Sequence, residues 1–171
     1  GLAWTELDAV AVSKGPGSYT GLRIGVAAAK GLCFSLDIPL IGIPTLQSMA
    51  AQMTISEGVL IPMLDARRME VYAAVYDPQY NEVGPTRAEI VTSNSFAQWA
   101  SKGPVFLLGN GAEKCREVLT HPNFSFHTGV QPSARALGPL AASRYENGAF
   151  EDLAYFEPYY LKDFIVKKKN P

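Results

Sequence analysis

Chemistry in this chain would start from the run Gly15-Pro16-Gly17-Ser18-Tyr19-Thr20-Gly21, where a glycine-rich turn meets a predicted helix. Such a junction exposes backbone N–H groups beside the positive end of the helix dipole, and hydroxyls add further donors. Gly15, Gly17, Ser18 and Thr20 are therefore a candidate anion or nucleotide loop. The Gly-Lys-Ser/Thr of a P-loop does not follow, and the dinucleotide fingerprint is absent, so a purely structural tight turn explains the same residues. A second candidate is Asp65, Arg67 and Glu70, three charged residues at the junction of two predicted strands. They read either as a structural ion pair within a turn or as contacts to a partner or a ligand in a cleft.

The remaining reactive side chains suggest no catalysis. His121 and His127 flank Pro122 without the i, i+4 relation of a helical metal pair, so no metal ligand is assigned. Cys33 and Cys115 each sit in an apolar helical pattern, which predicts buried free thiols and suits a reducing compartment. No serine, histidine and acid share a recognisable local setting, so no catalytic nucleophile is assigned either.

The elements that position these residues follow from hydrophobic periodicity. Asp8–Ser13 reads as a buried strand, and Ser18 or Thr20 as the cap of a helix over Gly21–Leu36. Leu40–Ile43 is a second strand, and Thr45 the expected cap of a helix through Gln52. Strand–helix–strand–helix alternation marks an α/β layer. Beyond Gly58, strands are expected at Val59–Leu64, Glu70–Tyr76, Ala88–Val91 and Val105–Leu108. Helices are expected from Ser93 or Ser95 to Ser101, over Ala112–Leu119 and from Ser133 to Glu146. The pattern divides near Pro44–Gly58 into residues 1–50, a remnant of a first lobe, and 51–171, a second lobe with a C-terminal return segment. The chain does not open on Met and meets a strand within eight residues; an N-terminal segment supplying that strand's neighbours is expected to be missing.

The helix after the glycine-rich loop carries a second signal. Gly21, Gly25, Ala28 and Leu32 share one face, and Leu22, Val26, Ala29, Cys33 and Leu36 share another. A helix apolar nearly all round is buried on more than one side, within its own fold or against a partner chain. Gly21, Leu22, Gly25, Ala28, Ala29 and Leu32 are the candidate interface residues.

The 171 residues, 47% hydrophobic and 18% charged with net charge -1, describe an ordinary soluble chain without global attraction to polyphosphate. Lys162, Lys167, Lys168 and Lys169 could form a local basic patch or a solvated tail. No apolar run approaches the ~20 residues of a membrane span, and the first residues show no secretory pattern.

Ser13-Lys-Gly-Pro-Gly-Ser-Tyr-Thr-Gly-Leu-Arg-Ile-Gly-Val26, continuing to Leu32, resembles the signature of the TsaB (YeaZ) family. Pro44-Thr-Leu46, Asp65-Ala-Arg67 with Glu70-Val-Tyr72, Gly109-Asn-Gly111 and Pro158-Tyr-Tyr-Leu-Lys162 agree in order and spacing. The resemblance implies an α/β, actin-like (ASKHA) two-lobe fold with the first lobe incomplete, since the family's opening Asp-Thr-Ser strand, hairpin and helix are missing here. It implies a cytoplasmic, non-catalytic scaffold that pairs with a TsaD homologue, or with itself, and works with a TsaE homologue. Transfer of a threonylcarbamoyl group to N6 of adenosine 37 in tRNA would then be TsaD's chemistry, with tRNA met only indirectly. No cofactor is expected beyond weak ATP or ADP binding. The alternative is an actin-like ATPase or phosphotransferase acting through the Gly15–Thr20 loop.

Overall fold

A computed structural model describes residues 3–162. Strand β1 (Val10–Gly15) leads into helix α1 (Tyr19–Leu36), which returns the chain to β2 (Leu40–Pro44), parallel to β1 with Val10 opposite Leu40. Ser18 caps α1 by accepting a hydrogen bond from the Gly21 N–H at 3.4 Å. Asp37 ends the helix in the left-handed conformation at φ 53°.

Strand alternation feeds two small cores. Val10, Val12 and Leu40 meet Val26, Ala29 and Cys33 of α1 on one face. Ala9, Ala11, Ile41 and Ile43 meet Leu137, Leu140 and Ala141 of the last helix, α5 (Leu137–Glu146), on the other.

Helix α2 (Thr45–Ala50) carries the chain onto a five-stranded sheet of β3 (Val59–Asp65), β4 (Glu70–Tyr76), β5 (Glu82–Ile90), β6 (Val105–Leu108) and β7 (Phe124–His127). The strand order is β5-β4-β3-β6-β7, with β3–β5 an antiparallel meander and β6 and β7 parallel to β3. Both faces are covered, which explains the continuous apolar run of β3. Leu46, Met49 and Ala50 of α2 pack against Leu60, Ala74, Tyr76 and Leu108. Ile61, Met63, Val71, Ala73, Val75 and Leu107 face Ala100 of α3 (Ala97–Ala100) and Ala112 and Cys115 of α4 (Asn110–Cys115). The architecture is actin-like.

The two layers interleave along the chain, because α2 packs on the larger sheet while α5 returns to the smaller one. Arg144 of α5 donates to the Gly42 carbonyl and to Gln47 Oε1, and Gln47 donates to the Tyr80 carbonyl at 3.1 Å. Ser13 and Thr45 hydroxyls meet at 2.6 Å. Thr45 is thus spent on β1 and caps nothing; Pro44 holds the cap position.

Several expected boundaries are corrected. β5 begins at Glu82 rather than Ala88; its first residues, Glu82-Val-Gly-Pro85, are exposed at the sheet edge except Gly84, and the glycine and proline hide the strand pattern. The helix expected from Ser93 or Ser95 shrinks to Ala97–Ala100, since Phe96 adopts φ 61° and Ser95 donates instead to Glu89 at 2.9 Å. The helix expected over Ala112–Leu119 runs Asn110–Cys115. Ser133 precedes a 3-10 turn, Ala134–Ala136, and makes no cap bond. β7 was not expected, because Phe-Ser-Phe-His over four half-covered residues offers too short a pattern. Among the described residues no helix is long and apolar enough to cross a membrane.

Candidate functional site: a cleft and an exposed helix face

A cleft of about 570 Å³ lies where three segments meet: Pro16–Tyr19, Leu64–Arg67 with Tyr72 and Asn110, and Tyr159–Lys162. The glycine-rich loop is shaped by the return segment that crosses it. The Tyr159 N–H donates to the Lys14 carbonyl at 2.6 Å. Gly15 holds φ 111°, and a side chain there would collide with the Tyr159 carbonyl oxygen. Gly17 has no such demand, since a Cβ would meet only Leu22 at 3.8 Å. Tyr160 packs on Tyr19 with ring centroids 4.7 Å apart, and Arg23 donates to the Tyr19 hydroxyl at 3.2 Å.

The cleft therefore gathers Gly17, Ser18, Asp65 and Arg67. Gly15 lies buried beneath Tyr159, and Thr20 is exposed one helical step away, outside the cleft lining. Ser18 is already engaged as the α1 cap. Glu70 is not in the lining; its carboxylate pairs with Lys162. The aromatic wall of Tyr72, Tyr159 and Tyr160 was not anticipated as part of this site, although the Pro158-Tyr-Tyr-Leu-Lys162 run carried the signal.

Asp65 is held on both its carboxylate and its backbone N–H. Lys114 of α4 pairs with its carboxylate and also donates to the Glu70 carbonyl at 2.6 Å. The Arg67 N–H donates to Asp65 Oδ1 at 2.8 Å, and the Asp65 N–H donates to Asn110 Oδ1 at 3.1 Å. The Lys114 hydrogen bond, chiefly, holds the Asp65 carboxyl below its usual range, against a smaller opposing effect of burial. The folded-state pKa is depressed, so this pair stabilises the fold above the unfolded value of about 4 and loses that effect as pH falls through the folded value. Lys114→Met should lower the melting temperature near neutrality, with the gap to wild type narrowing below about pH 4. Melting curves from neutral to acidic pH check this; a gap constant with pH would remove Asp65 from the account.

The thiols of Cys33 and Cys115 are buried and free, and burial raises the pKa of both. They are poor nucleophiles in this setting. His121 accepts from the Asn123 N–H at 3.2 Å, while His127 lies 3.0 Å from the Ser125 hydroxyl and against Phe106. Each histidine serves its own local contacts. Lys167, Lys168 and Lys169 lie outside the described residues; Lys162 is engaged with Glu70.

The second feature is the outer face of α1. Thr20, Ile24, Ala27, Gly31 and Phe34 are all exposed and recur at steps of four, three, four and three, the spacing of a helix-docking seam. Ile24 is 66% and Phe34 83% exposed. At the C-terminal end Gly31 and Phe34 join Leu153 and Ala154 around an apolar hollow of about 500 Å³. Of the six candidate interface residues, Leu22 and Ala29 point into the chain's own core. Gly25 lies over β1, where a Cβ would sit 3.9 Å from Val12, and Leu32 is half-buried. Gly21 and Ala28 are exposed beside the seam. The two faces distinguished in the sequence are the flank and the core face; the seam is a third, visible only when one asks which apolar positions the core leaves over.

Comparison with known proteins gives a consistent result. The family model described as TsaD, tRNA N6-adenosine threonylcarbamoyltransferase, matches residues 1–168. The tRNA threonylcarbamoyladenosine biosynthesis protein TsaB of Escherichia coli is 29% identical over 182 aligned positions, covering 100% of this chain and 78% of that protein. TsaB of Bacillus subtilis is 47% identical over 75 positions, 44% of this chain and 33% of that protein. A crystal structure from Pseudomonas aeruginosa, described as an uncharacterized protein with similarity to peptidase YEAZ, superposes with a TM-score of 0.81 at 25% identity. That superposition covers 94% of this chain and 76% of the other.

Proposed function

Since the chain belongs to the TsaD (tRNA N6-adenosine threonylcarbamoyltransferase) family and is of its TsaB/YeaZ type, we propose that it is a scaffold subunit in tRNA threonylcarbamoyladenosine synthesis. In this reading it carries no catalytic residue. It docks through the outer face of α1 onto a TsaD homologue, which performs the transfer to N6 of adenosine 37, and onto a second copy of itself when TsaD is absent. A TsaE homologue completes the assembly, tRNA is contacted indirectly, and the setting is the cytoplasm.

The observation that carries this reading is the exposed apolar seam Ile24–Ala27–Gly31–Phe34 on a helix whose opposite face is locked into the core. Large apolar side chains left in water on a rigid helix mark a surface that another molecule covers. Small residues between them permit close approach of a second helix.

The competing reading is a nucleotide-using enzyme built on the cleft. Its support is the volume of the cleft and the backbone amides of Gly17 and Ser18. Against it, Ser18 is committed as a cap, and Asp65 and Glu70 are both neutralised by lysines, leaving no free carboxylate of that trio to hold a metal-bound phosphate.

Reconstitution separates the two. With TsaD and TsaE homologues, ATP and threonylcarbamoyl-adenylate as the donor present, leaving out this chain should abolish threonylcarbamoylation of the tRNA. Equal modification without it would end the scaffold reading. Micromolar ATP binding and hydrolysis by this chain alone would favour the enzyme.

A further inference from the structure

The segment Glu151–Lys162 contains no helix and no strand beyond a single bridge, yet it is fastened along its length to the smaller layer. The Glu151 N–H donates to the Leu40 carbonyl at 2.9 Å. Lys30 of α1 donates to the carbonyls of Ala154 and Phe156 at 3.1 and 3.0 Å. Phe156 is buried among Val26, Ala29, Cys33 and Leu40. Tyr159 bonds the end of β1, and Tyr160 packs on Tyr19. Six contacts of different kinds, several out of water, therefore hold this run to β1, α1 and β2.

Past Tyr159 the segment turns across the cleft, whose wall it forms from Tyr159 to Lys162. There it reaches the larger sheet through the Lys162–Glu70 ion pair. Glu70 is a firm anchor, because it opens β4 and its carbonyl is held by Lys114. The pair itself is open to solvent: the Lys162 side chain is 47% exposed and that of Glu70 19%. An ion pair in such a setting is weak and screened by salt.

We propose that Glu151–Lys162 is a strap joining the two layers across the cleft, permanently fixed to the smaller layer and clasped to the larger one by the releasable Lys162–Glu70 pair. With the clasp closed the cleft keeps an open mouth at Ser18, Asp65 and Arg67, and parting of the clasp widens it on the side of the strap and of Tyr72. An anion entering the cleft competes with Glu70 for Lys162 and favours its own admission. This device is independent of whether a partner covers α1.

The test uses the whole chain carrying Tyr72→Cys as a reporter, since Tyr72 lines the cleft while Cys33 and Cys115 are fully buried. Labelling of that thiol by a maleimide reads how often the cleft opens. Lys162→Met or Glu70→Gln should each speed labelling about five-fold, the effect of losing one partly exposed ion pair. The two together should be no faster than either alone. Wild type in about 1 M salt should approach the single variants. Meanwhile hydrogen exchange at the Tyr159 amide, held by Lys14, should not change. Unchanged labelling, additive effects of the two substitutions, or loss of Tyr159 protection in the single variants would each overturn the proposal.

Discussion

Gly109→Ala is expected to lower stability by about 3 kcal/mol and the melting temperature by roughly 10 °C. Gly109 ends β6 and opens α4 at φ 94°, ψ -178°, a backbone region that only glycine occupies without strain. A Cβ there would sit 2.7 Å from the Met63 carbonyl oxygen and collide with the Met49 methyl. The methionine can move, but the β3 backbone cannot move without disturbing its pairing to both β4 and β6. Strain and clash therefore add. The next residue, Asn110, receives the Asp65 N–H and lines the cleft, so the same substitution should also loosen the Asp65–Lys114 pair. Gly31→Ala supplies the contrast. It lies in the interior of α1 with nothing within 4 Å of its would-be Cβ, and should stabilise the isolated chain by about 0.5–1 kcal/mol. Thermal melting of both variants checks this; equal effects would mean that conformation at Gly109 is not what limits the residue there.

The same glycine shows how far the sequence can be read. Gly109-Asn-Gly111 after the apolar run Val105–Leu108 marks a strand ending in a turn, and the structure has that turn. What no local pattern contains is the reason, namely that β3 and α2 press against it from residues 46 and more positions earlier. The strands β1, β2, β3 and β6 were legible as short apolar runs, and β4 by the alternation of Val71, Ala73 and Val75 with Tyr72, Ala74 and Tyr76. β7 and the first half of β5 were not, since these edge segments are half-solvated and their sequences resemble loops. The site divides along the same line. Ser18 as a cap and the Asp65–Glu70 turn follow from short-range chemistry. Their neutralising partners Lys114 and Lys162 stand 49 and 92 residues away and had to be brought by the fold.

The seam on α1 yields the other large effect. Ile24→Lys with Phe34→Lys should weaken docking to a TsaD homologue on the order of 100-fold or more, with melting temperature nearly unchanged. Each removed side chain is a large apolar anchor of the kind that contributes about 2 kcal/mol at an interface centre, and an added ammonium must be desolvated to bind. Lysine is a good helix former, and at Phe34 its charge suits the C-terminal end of α1, so the free helix gains nothing that would unfold it. Both substitutions carry the same sign so that a symmetric pair of chains cannot rescue itself by matching residue 24 of one copy with residue 34 of the other. Leu22→Lys would be uninformative, because Leu22 is only 8% exposed and its loss would damage the core regardless of any partner. Gly25 is an equally poor probe, as it lies over Val12. Affinity measured by calorimetry beside melting curves decides the matter. Lost affinity with an intact fold places the partner on the seam, whereas full affinity in a folded variant moves the docking surface elsewhere and takes the scaffold reading's main support with it.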